Sequence, residues 1–90
     1  MCILTLPEYF KTKYGTPETL ETSSSTIEEA LDELTKQHPK LKEFLFTDEK
    51  QLRKFINIFI EGNDIRDLQG LSTHVEKDHE IVILLAVAGG

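Results

Sequence analysis

Two hydrophobic periods share this chain, and each predicts its own kind of element. "CILTL" alternates weakly and is rich in strand-forming residues, so a first strand is expected over residues 2–6, ended by Pro7. "EYFKTKYGTP" carries Tyr9, Phe10 and Tyr14 ahead of the Gly15-Thr16-Pro17 breaker and reads as a connector with one or two aromatic anchors. "ETLET", residues 18–22, alternates once and predicts a second strand returning antiparallel to the first. The period then changes. In "SSSTIEEALDELTKQHP", Ile27, Ala30, Leu31 and Leu34 fall at i, i+3, i+4 and i+7, one face of a helix. Ser25 and Thr26 both qualify as its cap, each with a Glu three residues on, Glu28 or Glu29. Pro39 places the helix end near His38. Leu41, Phe44 and Leu45 repeat the helical spacing and predict a short second helix.

After the polar connector "FTDEKQLRK" the two-residue period returns. "FINIFI", residues 55–60, predicts a strand with Ile56, Ile58 and Ile60 on the core face and Phe55, Asn57 and Phe59 on the other. "EGND" predicts a tight turn in which Gly62 and Asn63 are able to take positive φ, and a short strand over residues 64–66 closes the hairpin. "LQGLSTHVEKDHE" reads as loop and turn. "EIVILL", residues 80–85, is the most apolar segment and predicts a central strand. One main helix with a small mixed sheet is a two-layer α+β domain. With four to five strands and the last one beside the first, the expected arrangement is a β-grasp. The expected organisation is one domain over residues 1–85 and a flexible tail over residues 86–90.

Composition changes this picture little. The 90 residues suit one domain, and 39% apolar with 29% charged residues argues against a disordered chain. Sixteen acids against ten bases give a net charge of −6, which disfavours nucleic-acid binding and favours encounter with a basic protein surface. No apolar run approaches the roughly 20 residues of a membrane span. The single cysteine, Cys2, makes no internal disulfide, and "MCILTLPEYF" lacks signal-peptide features, so a cytoplasmic protein is expected.

Few internal residues carry chemistry. His38, His74 and His79 do not share a metal-ligand spacing with Cys2, so no metal site is expected. Cys2 reads as a small buried hydrophobe. The glycines are scattered at 15, 62, 70, 89 and 90, which makes no phosphate loop. Glu28/Glu29 and Asp78/Glu80 lie on expected solvent surfaces and make no acid–base pair. The chain is therefore expected not to be an enzyme and to bind no cofactor.

The C-terminal stretch, "LLAVAGG", runs from an apolar strand into the smallest side chains. A terminal glycine carboxyl has a pKa of about 3.3–3.7 and is a carboxylate at neutral pH. When a partner enzyme positions it, a carboxylate attacks the α-phosphate of ATP and becomes an acyl-adenylate open to sulfide, thiol or amine. Gly89 and Gly90 lack a Cβ and can thread a narrow channel close to a nucleotide. From Leu85 to Gly90 an extended tail reaches roughly 17 Å. Ala86, Val87, Ala88 and Gly89 make the probe, and Gly90 carries the reacting group.

At "FINIFIEGNDIR" and "HEIVILLAVAGG" the chain resembles the ubiquitin-like sulfur carriers of the MoaD/ThiS/CysO type, and the first strand and "STIEEAL" helix extend the likeness to nearly its whole length. The Phe-Ile-Asn strand and the "AVAGG" ending look closest to the CysO-like branch. The resemblance implies that a ubiquitin-activating-type enzyme uses ATP to adenylate Gly90, and that a sulfur donor converts the adenylate to a thiocarboxylate. A sulfur-accepting synthase then takes the sulfur. In a cysteine route that synthase is cysteine-synthase-like, and a zinc metalloprotease releases the new cysteine. Alternatives are the small subunit of molybdopterin synthase, partnered by its large subunit, a protein modifier joined to lysines through Gly90, and a non-covalent interaction module. Many relatives have Pro where this chain has Leu85, and Gly in the turn that is "KDHE" here. Phe55 and Phe59 form a possible docking surface, as partner faces do in ubiquitin-like folds, unless a loop or the short helix covers them.

Overall fold

The computed structural model describes residues 1–86. Strand β1 (Cys2–Thr5), helix α1 (Glu8–Tyr14), β2 (Thr19–Thr22), α2 (Ile27–Gln37), α3 (Leu41–Leu45), β3 (Ile56–Ile60), β4 (Asn63–Asp64) and β5 (Glu80–Leu85) follow in that order, with two 3₁₀ turns, Ile65–Asp67 and Gly70–Ser72, before β5. The sheet order is β2-β1-β5-β3-β4. β5 runs parallel to β1 and antiparallel to β3, so the last strand fills the centre, as its composition requires.

The core lies between one sheet face and α2. Ile56, Ile58 and Ile60 of β3 and Ile81 and Ile83 of β5 are buried, and so are Leu4 of β1 and the α2 residues Ile27, Ala30, Leu31 and Leu34. The two-residue period of the strands and the 3.6-residue period of the helix therefore meet on one layer of aliphatic side chains. Thr26 wins the contest for the cap. Its Oγ1 accepts from the Glu29 N–H at 3.2 Å, and the Glu29 carboxylate accepts from the Ser25 N–H at 2.9 Å. Thr26→Ala removes the first bond and is expected to lower stability by about 1 kcal/mol, read from the shift in a urea melt.

The structure corrects three expectations. "EYFKTKY" is a helix, α1, rather than a connector. Its start, at Pro7, has no capping side chain, but Pro fixes φ, and Phe10 and Tyr14 meet edge to face at i, i+4. Gly15 ends it in the left-handed region (φ 71°), its N–H returning to the Lys11 carbonyl at 3.1 Å. The hairpin turn takes positive φ at Glu61 (48°) and Gly62 (83°), not at Asn63. A two-residue turn of this hand needs both central residues there, which leaves Asn63 already paired with Ile60. The fourth strand accordingly spans Asn63–Asp64 rather than residues 64–66. Ile65 turns inward to 2% exposure, and Asp64 caps a 3₁₀ turn through the Arg66 N–H. Smaller differences are single residues: Leu6 lies past β1 though still bonded to the Glu18 carbonyl, Glu18 itself precedes β2, and Phe55 precedes β3.

Candidate functional site

β5 is the platform from which the C-terminal residues leave. Its first half is held on both sides, with Glu80, Ile81 and Val82 opposite Ile3, Leu4 and Thr5 of β1. Its second half is held by β3 alone, where Ile83, Leu84 and Leu85 face Ile58, Asn57 and Ile56. The last rung lies one residue further on: the Ala86 N–H donates to the Phe55 carbonyl at 2.8 Å. Ala86 is exposed. Val87, Ala88, Gly89 and Gly90, and with them most of the expected tail, lie outside the described residues.

Phe55 and Phe59 have different surroundings. Phe59 is half-buried on the outer face of the sheet, paired with Val82 on β5 and Asp64 on β4. Phe55 is 38% exposed at the sheet's end, and its ring lies 5.2 Å from that of Phe44 on α3. The short helix thus covers one side of Phe55 and leaves the other open.

Three outer-face residues escaped the sequence reading. Ile3 (43% exposed) and Leu84 (48% exposed) stand in water, with Val82 half-buried between the two flanking strands. Together with Phe59 they draw an apolar stripe across β1, β5 and β3. The signal was present as parity: residues 82 and 84 alternate with the buried 81 and 83, but a uniformly apolar run hides which half faces out. At its β4 edge the stripe meets polar groups. Arg66 donates to Asn57 and pairs with Asp64 at 2.9 Å. Hydrogen bonding from Arg66 holds the Asp64 carboxyl below its ordinary value of 3.8, and the same bond raises the Arg66 guanidinium.

The remaining candidates have structural surroundings. Cys2 is buried, and its thiol donates to the Thr22 carbonyl at 3.2 Å. His79 accepts at Nδ1 from the Glu76 N–H at 3.1 Å, inside the turn before β5. His74 bridges to Thr26 through backbone, and His38 closes α2. Among the described residues no three His, Cys, Asp or Glu side chains gather as a metal would need. Nor is any helix among them long and apolar enough to cross a membrane.

A mixed five-stranded sheet with its C-terminal strand at the centre, parallel to the N-terminal strand and packed on one main helix, defines a ubiquitin-like β-grasp protein. Within that class the chain belongs to the ThiS family, which it matches over residues 4–90. The sulfur carrier protein CysO of Mycobacterium tuberculosis is 26% identical over 89 residues, covering 97% of this chain and 96% of the relative. A chain in the crystal structure of the Amycolatopsis orientalis BexX/CysO complex superposes with a TM-score of 0.88 at 30% identity, over 100% of both chains. The solution structure of small archaeal modifier protein 1 from Methanosarcina acetivorans gives a TM-score of 0.83 at 37% identity, over 99% of this chain and 95% of that one.

Proposed function

We propose that this chain is a sulfur carrier whose Gly90 carboxylate is adenylated and then converted to a thiocarboxylate. The observation that carries the reading is the position of β5. A strand fixed at the centre of the sheet gives way to an exposed Ala86, and only Val87, Ala88 and Gly89 separate that point from Gly90. The carboxylate oxygen attacks the α-phosphate of ATP in a ubiquitin-activating-type enzyme, and pyrophosphate leaves. A sulfur nucleophile from a donor then displaces AMP, so one carboxylate oxygen is exchanged for sulfur. The carrier itself binds no cofactor and supplies no catalytic side chain; ATP belongs to the partner.

A sulfur-accepting synthase receives the sulfur. The CysO relatives support a sulfur-accepting partner enzyme in general; in this reading it is cysteine-synthase-like, with a zinc metalloprotease releasing the product, or a synthase of a specialised sulfur metabolite. A molybdopterin synthase large subunit is the alternative acceptor. The setting is a reducing, cytoplasmic one, in which Cys2 stays a thiol. Incubation with the activating enzyme, ATP and a sulfur source should raise the intact mass by about 16 Da, the oxygen-to-sulfur exchange at an acyl group activated for nucleophilic attack. No gain, with the enzyme shown active on another carrier, contradicts the reading.

The 37% identity to small archaeal modifier protein 1 favours a second reading, in which the same adenylate meets a lysine amine and Gly90 is joined to other proteins. A ladder of larger species on blots against this chain, lost when Gly90 is deleted, would establish it.

A further inference from the structure

Beside the point where β5 ends, five aromatic rings make a continuous cluster. Tyr9, Phe10 and Tyr14 come from α1, Phe44 from α3, and Phe55 from the residue before β3. Phe44 is the hub, 5.5 Å from Tyr9, 5.6 Å from Phe10, 6.0 Å from Tyr14 and 5.2 Å from Phe55. Phe10 is fully buried and roots the cluster in the core. At the surface Tyr9 is 42% exposed and Phe55 38% exposed, so the two outer rings present a ledge to solvent. A single hydrogen bond, Ala86 N–H to Phe55 carbonyl, ties the ledge to the last described residue.

Charge follows the same partition. The segments that build the ledge, residues 7–17 and 38–55, carry seven of the ten bases and four of the sixteen acids. The rest of the chain is left with three bases and twelve acids. The net charge of −6 is thus the sum of a basic part and a strongly acidic one. Around the ledge, the Lys13 ammonium lies 5.9 Å from the centre of the Tyr9 ring. Lys13 and Lys40 line one shallow cleft with Tyr14, and exposed Lys54 precedes Phe55. Glu8 and Glu43 are the acids next to the rings in sequence, and Glu43 lines a separate cleft with Lys42 and Arg53.

We propose that this ledge, with Tyr9 and Phe55 as anchors and Lys13 and Lys54 on its rim, docks on the adenylating enzyme at the mouth of its tail channel, against an apolar seat edged by carboxylates. The inference rests on the carrier reading above. Four residues extend at most about 14 Å beyond Ala86. An enzyme that reacts with Gly90 must therefore bring its surface up to the residues around Ala86, and Phe55 is bonded to it. Half-exposed aromatic rings on a packed base are the side chains that gain most from desolvation at an interface, since little rotamer freedom is lost. The basic rim gives the approach a direction, because the acidic remainder of the domain is repelled from the same carboxylates.

The test is ATP–pyrophosphate exchange by the purified activating enzyme from the same genome, with the carrier as varied substrate. Tyr9→Ala and the pair Lys13→Glu with Lys54→Glu are each expected to raise KM about tenfold or more, with kcat unchanged, the size of a contact worth one decade of affinity. Lys36→Glu with Lys77→Glu, a reversal of the same size at two exposed lysines of the acidic part, should leave KM within about twofold, as exposed charges away from a contact do. The lysines are exposed, so the charge reversals test the ledge even if an aromatic truncation disturbs the fold. Exchange with the unaltered chain but unchanged KM in these variants overturns the ledge and leaves the carrier reading standing. No exchange with the unaltered chain, by an enzyme active on another carrier, overturns both.

Discussion

Deletion of Gly90 is expected to reduce ATP–pyrophosphate exchange on this chain to background while leaving its thermal melt where it was. The two halves of that result have separate causes. Among the described residues, which end at Ala86, Ile81 and Ile83 carry the burial of β5 and the Ala86 N–H makes its last hydrogen bond. Nothing described in the core therefore changes when the last residue goes. The chemistry, by contrast, is a matter of reach. Shortening the tail moves the carboxylate back by about 3.5 Å, the rise of one extended residue. Misplacement by even about 1 Å can cost a hundredfold in an oriented reaction. A retained rate would mean that reach to the position of Gly90 does not limit the reaction, and a lowered melting temperature would mean that the tail is part of the packed domain.

The largest effect on the domain itself is expected from Ile83→Ala. Ile83 is 1% exposed at the middle of the central strand, opposite Ile58, which is equally buried. Truncation removes transfer free energy and leaves a cavity in the buried core, a loss of about 2–5 kcal/mol. A domain of this size holds only about 5–13 kcal/mol in total. The melting temperature should fall by roughly 10–30 °C. Sulfur loading should fail at temperatures where the wild-type chain still accepts it, because the point from which Ala86 emerges is set by the β5–β3 ladder. Calorimetry on the two chains checks the first statement, and loading at a series of temperatures checks the second. A shift below about 2 °C would show that the site repacks and that β5 is not the anchor assigned to it.

Legibility in the sequence follows how each element gains its stability. β3, α2 and β5 were readable because burial alone makes them: Ile56, Ile58 and Ile60 at period two, and Ile27, Ala30, Leu31 and Leu34 at helical spacing, leave one alternative each. α1 was not readable. It is seven residues long with no side-chain cap, too short to persist alone, and is held by the Phe44 ring of α3, which is distant in sequence. The hairpin turn was misplaced by one residue because Gly62 tolerates either position, and only the Ile60–Asn63 pairing fixes which residue joins it at positive φ. The site divides along the same line. The anchoring strand could be read directly, whereas Leu84 and Ile3 on the outer face, and the ledge of Tyr9 and Phe55, depend on which side of an element the tertiary packing leaves open.

In the proposed carrier reading, the central chemical question is which atom carries sulfur. The chain offers two acceptors of opposite character: the Gly90 carboxylate, and the Cys2 thiol that is buried at 2% exposure with its hydrogen directed at the Thr22 carbonyl. Fragmentation mass spectrometry of the loaded chain separates them. A gain of about 16 Da confined to C-terminal fragments that contain Gly90 is the predicted result, the mark of a thiocarboxylate formed by nucleophilic attack on the acyl-adenylate. A gain of about 32 Da confined to N-terminal fragments that contain Cys2, the mark of a persulfide, would contradict it.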